Sequence, residues 1–216
     1  MRYVFINPVT AQMYDSEALN VQLTRAGYTR VECEVIWRDA VKARYRELIY
    51  DTSCVWSDAR CPMAVKLMHE LGPAGIRVAP IEPILLCCAQ ELSARADLSD
   101  GDILITSPCS ALADAGNALS LPRTRFITWR EFALRERIDL TPRALNACPV
   151  PPGFFEGLPC KVASATGRTE ISRFLSAEIA PDVRLIELLY CPDGCHNGDG
   201  VWPEQLHSDA KSTEER

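Results

Sequence analysis

Cysteine is the residue type in this sequence with the clearest potential for chemistry. Ten cysteines occur among 216 residues, and only three residues separate Cys191 from Cys195. Two thiolates at this spacing can face one way when the chain turns sharply between them. Gly194, Gly198 and Gly200 permit the positive φ and the close backbone approach that such a turn needs. Because thiolates bind iron–sulfur clusters and zinc, this segment is a candidate metal or cluster site.

Two further cysteines occupy positions where ligands collect in α/β proteins. Cys109 directly follows a predicted buried strand, as Cys191 does, and Cys61 precedes Pro62 at the predicted start of a helix. Ligands of α/β folds lie beyond the carboxyl ends of the strands, where helix N-termini direct N–H groups. A [4Fe-4S] core with thiolate ligands is anionic overall, so this setting favours it.

The elements that position these cysteines follow an alternation of strands and helices, which is typical of α/β proteins. Asp15 is a predicted N-cap with Gly27 as the helix stop. We therefore expect an α/β fold of two small Rossmann-like lobes with mainly parallel sheets. The predicted strands cover residues 3–6, 31–36, 102–106, 125–128 and 183–189. The predicted helices cover residues 16–26, 41–48, 62–71, 82–92, 111–119, 129–137 and 169–177.

Composition excludes several classes of function. The formal net charge is −6 and no lysine–arginine run follows a groove-like pattern, which argues against a nucleic-acid partner. The N-terminus does not resemble a secretory signal, and no segment has the apolar length of a membrane helix. We expect a cytoplasmic protein. Ten cysteines in that compartment indicate metal or redox chemistry, since disulfides are rare there.

Three segments resemble the signature motifs of the iron-only ([FeFe]) hydrogenase catalytic domain. The motif E-x-M-x-C-x-x-G-C-x-x-G-G-G is similar to ELLYCPDGCHNGDG at residues 187–200, where Leu189 replaces Met and Asp199 replaces a Gly. P-C-x-x-K-x-x-E is matched at its first two positions by residues 108–109. T-S-C-C-P is matched in part by residues 61–62, with Thr-Ser-Cys a few residues upstream. The resemblance covers roughly residues 49–201.

This resemblance implies one [4Fe-4S] cluster ligated by Cys61, Cys109, Cys191 and Cys195, with Cys54 as the alternative to Cys61. It implies a single domain over residues 1–204, divided into two lobes near residues 50 and 180, with the cluster in the crevice between them. We expect residues 205–216 to form a flexible tail. The resemblance also suggests a redox protein such as a ferredoxin as the electron partner, and an anaerobic cell.

Residues that support hydrogen chemistry in the family are absent. The cyanide-binding Lys of the second motif is replaced by Leu112, or by Ala113 with a one-residue slip, and the final Glu by Ala115. The proton-relay Cys of the first motif is replaced by Arg60, which stays protonated at ordinary pH. We therefore expect electron transfer or redox sensing without hydrogen turnover. Alternatives are a small active hydrogenase or other oxidoreductase, a structural zinc protein that uses His196, and a cluster scaffold.

The remaining cysteines have structural interpretations. Cys87 and Cys88 lie in an apolar predicted helix and are expected in the core, because adjacent helical side chains point about 100° apart. Cys33 is expected to be buried in a strand. Cys148 and Cys160 bracket a proline-rich stretch and are candidates for a second site.

Overall fold

The computed structural model describes residues 1–51 and 54–201. The predicted flexible tail at residues 205–216 lies outside the described residues. The chain divides into two compact units, the first formed by residues 1–32, 89–149 and the chain from 196 onward, the second by residues 33–88 and 150–195. The expectation of one domain over residues 1–204, with divisions near 50 and 180, stays a prediction.

The first unit contains a fully parallel four-stranded sheet. Its strands are β1 (Arg2–Phe5), β2 (Thr29–Arg30), β5 (Asp102–Ser107) and β6 (Thr124–Thr128). They are ordered β2-β1-β5-β6, and each neighbouring pair is parallel. Its helices are α1 (Pro8–Gln12), α2 (Ser16–Arg25), α6 (Ser110–Ala118) and α7 (Trp129–Glu136).

The second unit contains another fully parallel four-stranded sheet. Its strands are β3 (Val55–Ser57), β4 (Ile76–Val78), β7 (Lys161–Thr166) and β8 (Val183–Leu189), ordered β4-β3-β8-β7. Its helices are α3 (Trp37–Leu48), α4 (Pro62–Leu71) and α8 (Arg168–Leu175), while α5 (Ile84–Ala94) contains the boundary after Cys88. The predicted α/β class with two parallel sheets is thereby confirmed.

Local sequence accounts for the element ends that matter for the site. The Asp15 side chain accepts a hydrogen bond from the backbone N–H of Ala18 and begins α2, and Gly27 after this helix has a φ of 80°. Pro62 stands in the first turn of α4, where its missing N–H is not needed. Thr128 forms a capping box with Glu131 at the start of α7. The starts of α2 and α4 confirm the predictions made from Asp15 and Pro62, and the end of α2 before Gly27 confirms the predicted stop.

Helices cover both faces of the sheet in the second unit. Val41 of α3 packs in one cluster with Leu185 of β8. Leu67 of α4 and Ile171 of α8 pack in another with Ile186, which points to the opposite face of the same strand. Burial on both faces explains why β8 reads as an almost continuous apolar run.

Aromatic residues of α7 lie in the core of the first unit. The rings of Trp129 and Phe132 are 5.6 Å apart, and both side chains are fully buried. Trp129 donates its indole N–H to the hydroxyl of Tyr14 at 3.1 Å, so its polar atom is satisfied. Among the described residues, none of the helices combines the length and hydrophobicity that crossing a membrane requires.

The strand predicted at residues 31–36 is wrong. The pairing with β1 ends at Arg30, with one further hydrogen bond from the backbone N–H of Val31 to the Val4 carbonyl. Beyond it the chain carries alternating glutamates, and Ile36 is exposed, so no apolar face holds the segment on the sheet. Cys33 consequently lies outside any strand and is only partly buried, which corrects the expectation that it is buried in one.

Candidate functional site

Cys61 lies at the junction between an inner strand and a helix of the second unit. Three residues connect it to the end of β3, and it is the N-cap residue of α4. β3 lies beside β8, with Ser57 opposite Ile186 and the backbone N–H of Asp58 donating to the Ile186 carbonyl at 2.8 Å. Because parallel strands end at a common edge, Cys61 and the residues after β8 share that edge.

The pKa of the Cys61 thiol depends on its burial and on nearby backbone N–H groups. Burial is the largest influence and raises the pKa of the Cys61 thiol, while the N–H groups of Tyr190, Ala64 and Met63 lower it. The net pKa is above its ordinary value. Two of these donors belong to the first turn of α4, and the third directly precedes Cys191. The protonated thiol therefore sits among donors that also favour an anionic sulfur.

The chain turns sharply between Cys191 and Cys195, as the sequence predicts. Asp193 and Gly194 have φ values of 58° and 113°, and the N–H of Gly194 donates to the Cys191 carbonyl at 3.3 Å. Cys195 then begins a short 3₁₀ turn, Cys195–Asn197. Of the three glycines predicted to shape this segment, Gly194 alone has a positive φ. Both cysteines are partly buried.

Cys109 occupies the equivalent strand-to-helix position in the first unit. It follows β5, is the N-cap residue of α6, and receives support from Ser107, whose hydroxyl donates to the Cys109 carbonyl at 2.8 Å. Gly200 packs against this turn, with its N–H donating to the Pro108 carbonyl at 3.1 Å. A Cβ on Gly200 would lie 2.8 Å from Cβ of Thr128 and 3.1 Å from Cα of Cys109. Close approach, rather than positive φ, explains this glycine.

Asp199 stands where the hydrogenase motif has a glycine, and it caps α6. Its Oδ1 accepts the backbone N–H of Ser110 at 3.1 Å, and its Oδ2 accepts the Ser110 hydroxyl. A carboxylate at the first turn of a helix interacts favourably with the helix dipole. This acid therefore ties the segment after Cys195 to the helix that follows Cys109 by local contacts of the first unit.

A buried ionic network precedes Cys61. Arg60 donates from Nε to Asp58 at 2.8 Å and from Nη2 to Glu187 at 2.6 Å, while its guanidinium lies 4.1 Å from the ring centroid of Phe154. Burial alone lowers the pKa of Arg60, but the two carboxylates outweigh burial and raise it. Nη1 of Arg60 is buried without a hydrogen-bond partner in the described part of the chain. Arg60 is thus a fixed cation.

Glu187 connects this network to the proline-rich stretch of the second unit. Its carboxylate accepts the backbone N–H groups of Gly153 at 2.6 Å and Phe154 at 3.1 Å, and the hydroxyl of Ser164 at 2.9 Å. On the other side of Arg60, Asp58 accepts the Tyr45 hydroxyl at 3.0 Å. Burial raises the pKa of Tyr45 well above its ordinary value. Every carboxylate of the network is therefore matched by donors, as buried charges require.

This network is not among the features predicted from the sequence, although one signal for it is present. Glu187 is a single acid within the apolar run of β8, and a buried carboxylate needs a partner. Arg60, 127 positions earlier in the chain, is that partner. Sequence distance hides such a pair because nothing local to either residue indicates the other.

The structure places Cys61 and Cys191 at one edge of the second unit's sheet, with Cys195 one turn further along. Cys54 directly precedes β3 and therefore lies toward the amino ends of the strands, away from that edge. Cys109 belongs to the first unit. Within residues 1–51 and 54–201, no group of three or more His, Cys, Asp or Glu side chains is arranged to hold a metal ion. The four-cysteine ligand set, the cluster site in the crevice and the zinc alternative therefore stay predictions. They are based on the residue types and not on side chains that the described structure brings together.

The donor types nevertheless fit an iron–sulfur cluster. The candidate ligands are thiols, which are the usual cluster ligands, and Cys61 and Cys109 are both N-cap residues whose side chains form no capping hydrogen bond. The backbone N–H groups that lower the pKa of the Cys61 thiol are donors of the kind that stabilise anionic cluster sulfur.

The other cysteines are structural where the structure tests them. Cys87 and Cys88 are buried, which confirms their predicted place in the core. Cys148 is buried in the first unit and Cys160 is partly buried in the second, so each has its own packing environment. A second site formed by these two residues stays a prediction.

Solved structures of a known enzyme share this fold. The chain matches an apo variant of [FeFe]-hydrogenase HydA1 from Chlamydomonas reinhardtii with a TM-score of 0.60 and 12% identity, over 100% of this chain and 84% of that chain. Another variant of that hydrogenase matches with a TM-score of 0.53 and 12% identity, over 99% and 82% of the two chains. No protein-family model matches, and no curated protein matches significantly. The chain therefore has a hydrogenase-like α/β fold.

Proposed function

We propose that this chain binds one [4Fe-4S] cluster through Cys61, Cys109, Cys191 and Cys195. The observation that carries the proposal is that Cys61, at the start of α4, and Cys191, just after β8, lie at one edge of the second unit's sheet, since β3 and β8 are parallel neighbours. The hydrogenase-like fold supports the same assignment. Cys61 is preferred to Cys54 because Cys54 lies at the amino end of β3.

The proposed role is electron transfer or redox sensing in the cytoplasm, with a ferredoxin-like protein as the electron partner. A bound [4Fe-4S] cluster supplies one-electron chemistry, and hydrogen bonds to its sulfur atoms tune its potential. The chain's own contribution is to hold the thiolates and to present N–H donors, which favour the more negative, reduced state. Burial around Cys61 limits access of water to that sulfur.

Hydrogen turnover is not part of the proposed function. Leu112, at the position of the family's Lys, is a buried apolar side chain. Arg60, at the position of the relay Cys, is held between two carboxylates that raise its pKa. A general acid–base group must exchange its proton near the working pH, and loss of such a group lowers a rate by about 10²–10⁴-fold.

Anaerobic reconstitution of the full chain tests the proposal. With iron and sulfide, the protein should gain about four of each per chain and broad absorption near ~400 nm, as a [4Fe-4S] thiolate site requires. Single substitutions Cys61→Ser, Cys109→Ser, Cys191→Ser and Cys195→Ser should each reduce bound iron strongly.

Two other cysteines serve as matched controls. Cys54→Ser and Cys160→Ser remove partly buried thiols outside the proposed set, so both should leave iron content unchanged. If the Cys61 variant keeps its full iron content and the Cys54 variant loses iron, then Cys54 and not Cys61 is the ligand. A colourless protein that takes up zinc and no iron would overturn the cluster in favour of a zinc site.

A further inference from the structure

A cavity of about 420 Å³ opens on the first unit and is lined by four arginines. Arg2 begins β1, Arg125 lies on β6, Arg123 directly precedes β6, and Arg135 lies on α7. The cavity lies at the amino ends of the strands, since its lining includes Asp102, the first residue of β5. Cys109 follows the other end of β5, so this cavity is separate from the candidate cluster ligands.

A single tyrosine organises two of the arginines. The hydroxyl of Tyr28 accepts hydrogen bonds from Nη1 of Arg2 at 3.4 Å and from Nη2 of Arg135 at 3.2 Å, and donates to Glu136 at 3.0 Å. Arg2 is further held by the Ala26 carbonyl at 2.7 Å and by the Tyr28 ring, 4.4 Å from its guanidinium carbon. The two guanidinium groups are therefore pre-positioned, which reduces the entropy lost when they bind a ligand.

The other two arginines approach from the turn before β6. Arg123 donates to the Leu98 carbonyl at 3.2 Å, which fixes its direction, and Arg125 is exposed. A guanidinium group carries five N–H donors, and the bonds formed by Arg2, Arg123 and Arg135 use two or fewer of them in each case. Donors thus remain for a ligand with several acceptor oxygens.

The cavity lining carries a net positive charge, whereas the whole chain carries a net negative charge. Net charge is −6, yet the lining holds four arginines against one acid, Asp102, with Glu136 adjacent to Arg135. Like charges that line one cavity repel one another, and a bound anion would relieve that repulsion. Planar guanidinium groups match carboxylate and phosphate oxygens with paired hydrogen bonds.

We propose that this cavity binds a small multivalent anion that carries phosphate or carboxylate groups. Its volume falls in the range of small-molecule sites, about 300–1,000 Å³. A protein partner generally covers about 800 Å² on each side, a larger and flatter surface than this cavity offers. Tyr3 and Leu121 in the lining supply apolar contact beside the charged groups.

Calorimetric titration of the full chain without iron tests this proposal. Pyrophosphate and citrate are the two probes, at constant ionic strength, and they separate a phosphate ligand from a carboxylate ligand. Saturable binding of either, weakening as KCl increases, is the expected result. Arg125→Gln should weaken it about ten-fold or more, because it removes charge-assisted hydrogen bonds. Tyr28→Phe should weaken binding less, through the loss of positioning of Arg2 and Arg135.

Arg38→Gln is the matched control, because Arg38 is an exposed arginine of the second unit. The Arg38→Gln variant should bind pyrophosphate or citrate with the same affinity as the unaltered protein. Absence of saturable binding, equal affinity in the Arg125 variant, or equal loss in the Arg38 variant would overturn the proposal. Binding of polyglutamate but of neither small anion would also overturn it, in favour of an acidic protein partner. No iron is needed, so failure here is distinguishable from failure to bind a cluster.

Discussion

The carboxylate of Glu187 lies 2.6 Å from Nη2 of Arg60, and both side chains are almost completely buried. This contact joins the interior of β8 to the segment that leads from β3 into Cys61. A buried ion pair adds little net stability compared with apolar residues, but removal of one partner leaves an uncompensated charge. The pair therefore fixes the arrangement of the strand ends that carry Cys61 and Cys191.

Glu187→Gln should lower the free energy of unfolding by about 3–5 kcal/mol, because it breaks a buried pair and weakens three further hydrogen bonds. Urea denaturation of the protein without a cluster measures this change. Glu170→Gln is the control, since Glu170 pairs with Arg173 on the exposed surface of α8 and should show no measurable loss. Equal stability in the two variants would contradict the role given to Glu187.

Stability should decline in alkaline solution. Burial raises the pKa of the thiols of Cys61 and Cys87 above 9.0, and that of Tyr45 well above 10.0. The folded state thus favours the protonated groups, so their contribution is fully present below the ordinary pKa values and is lost as pH rises through the raised ones. Urea unfolding under reducing conditions should give a constant free energy from about pH 7 to 8 and a fall above about pH 9. Cys87→Ala should make that fall shallower, and a rise in stability above pH 9 would disprove the assignment.

Gly200→Ala should destabilise the turn that holds Cys109. The added Cβ would lie 2.8 Å from Cβ and 2.9 Å from Cγ2 of Thr128, and overpacking of this kind lowers the free energy of unfolding by about 1–3 kcal/mol. Thr128→Ser removes the Cγ2 methyl and keeps the capping hydroxyl, so the double variant should recover part of the loss. Chemical denaturation of the four proteins gives the coupling energy directly. If the two substitutions change the free energy of unfolding additively, the loss in the Gly200 variant does not come from crowding against Thr128.

Asp199→Asn should weaken the N-terminus of α6 by about 1 kcal/mol, because a charged cap is replaced by a neutral one that interacts less with the helix dipole. Thermal unfolding measures the loss. The exposed acid Asp193, in the preceding turn, provides the comparison, since Asn tolerates its φ of 58° and Asp193→Asn should leave stability unchanged. If both variants behave alike, the cap contributes nothing.

Sequence reasoning was most successful where one local signal determines an element. The apolar run of β8 was predicted with its observed limits, and Pro62 marked the start of α4. β3 and β4 were missed because three residues are too few to show a period. β7 was missed because its residues are small or polar and it gains its order from pairing with β8.

The candidate site likewise has features that local sequence predicts and features that it does not. The positions of Cys61, Cys109 and Cys191 after strands or at helix starts follow from local patterns, and the structure has them there. The Arg60–Glu187 pair depends on residues 127 positions apart, and the arginine cavity combines β1, β6 and α7. Such contacts arise from chain topology, which local periodicity does not encode.

The strand order of the second unit has a consequence for biosynthesis. Within the described residues β8 is the last strand to be made, yet it separates β3 from β7 and leads directly into Tyr190, whose backbone N–H lowers the pKa of the Cys61 thiol. While the ribosome is still adding residues before Val183, β3 has β4 as its sole neighbour. Sheets closed by such distant pairing form late and slowly. A nascent chain therefore leaves the β8 side of β3 uncovered until Val183 and the residues after it have been made, and the Cys61 thiol gains its buried setting only then.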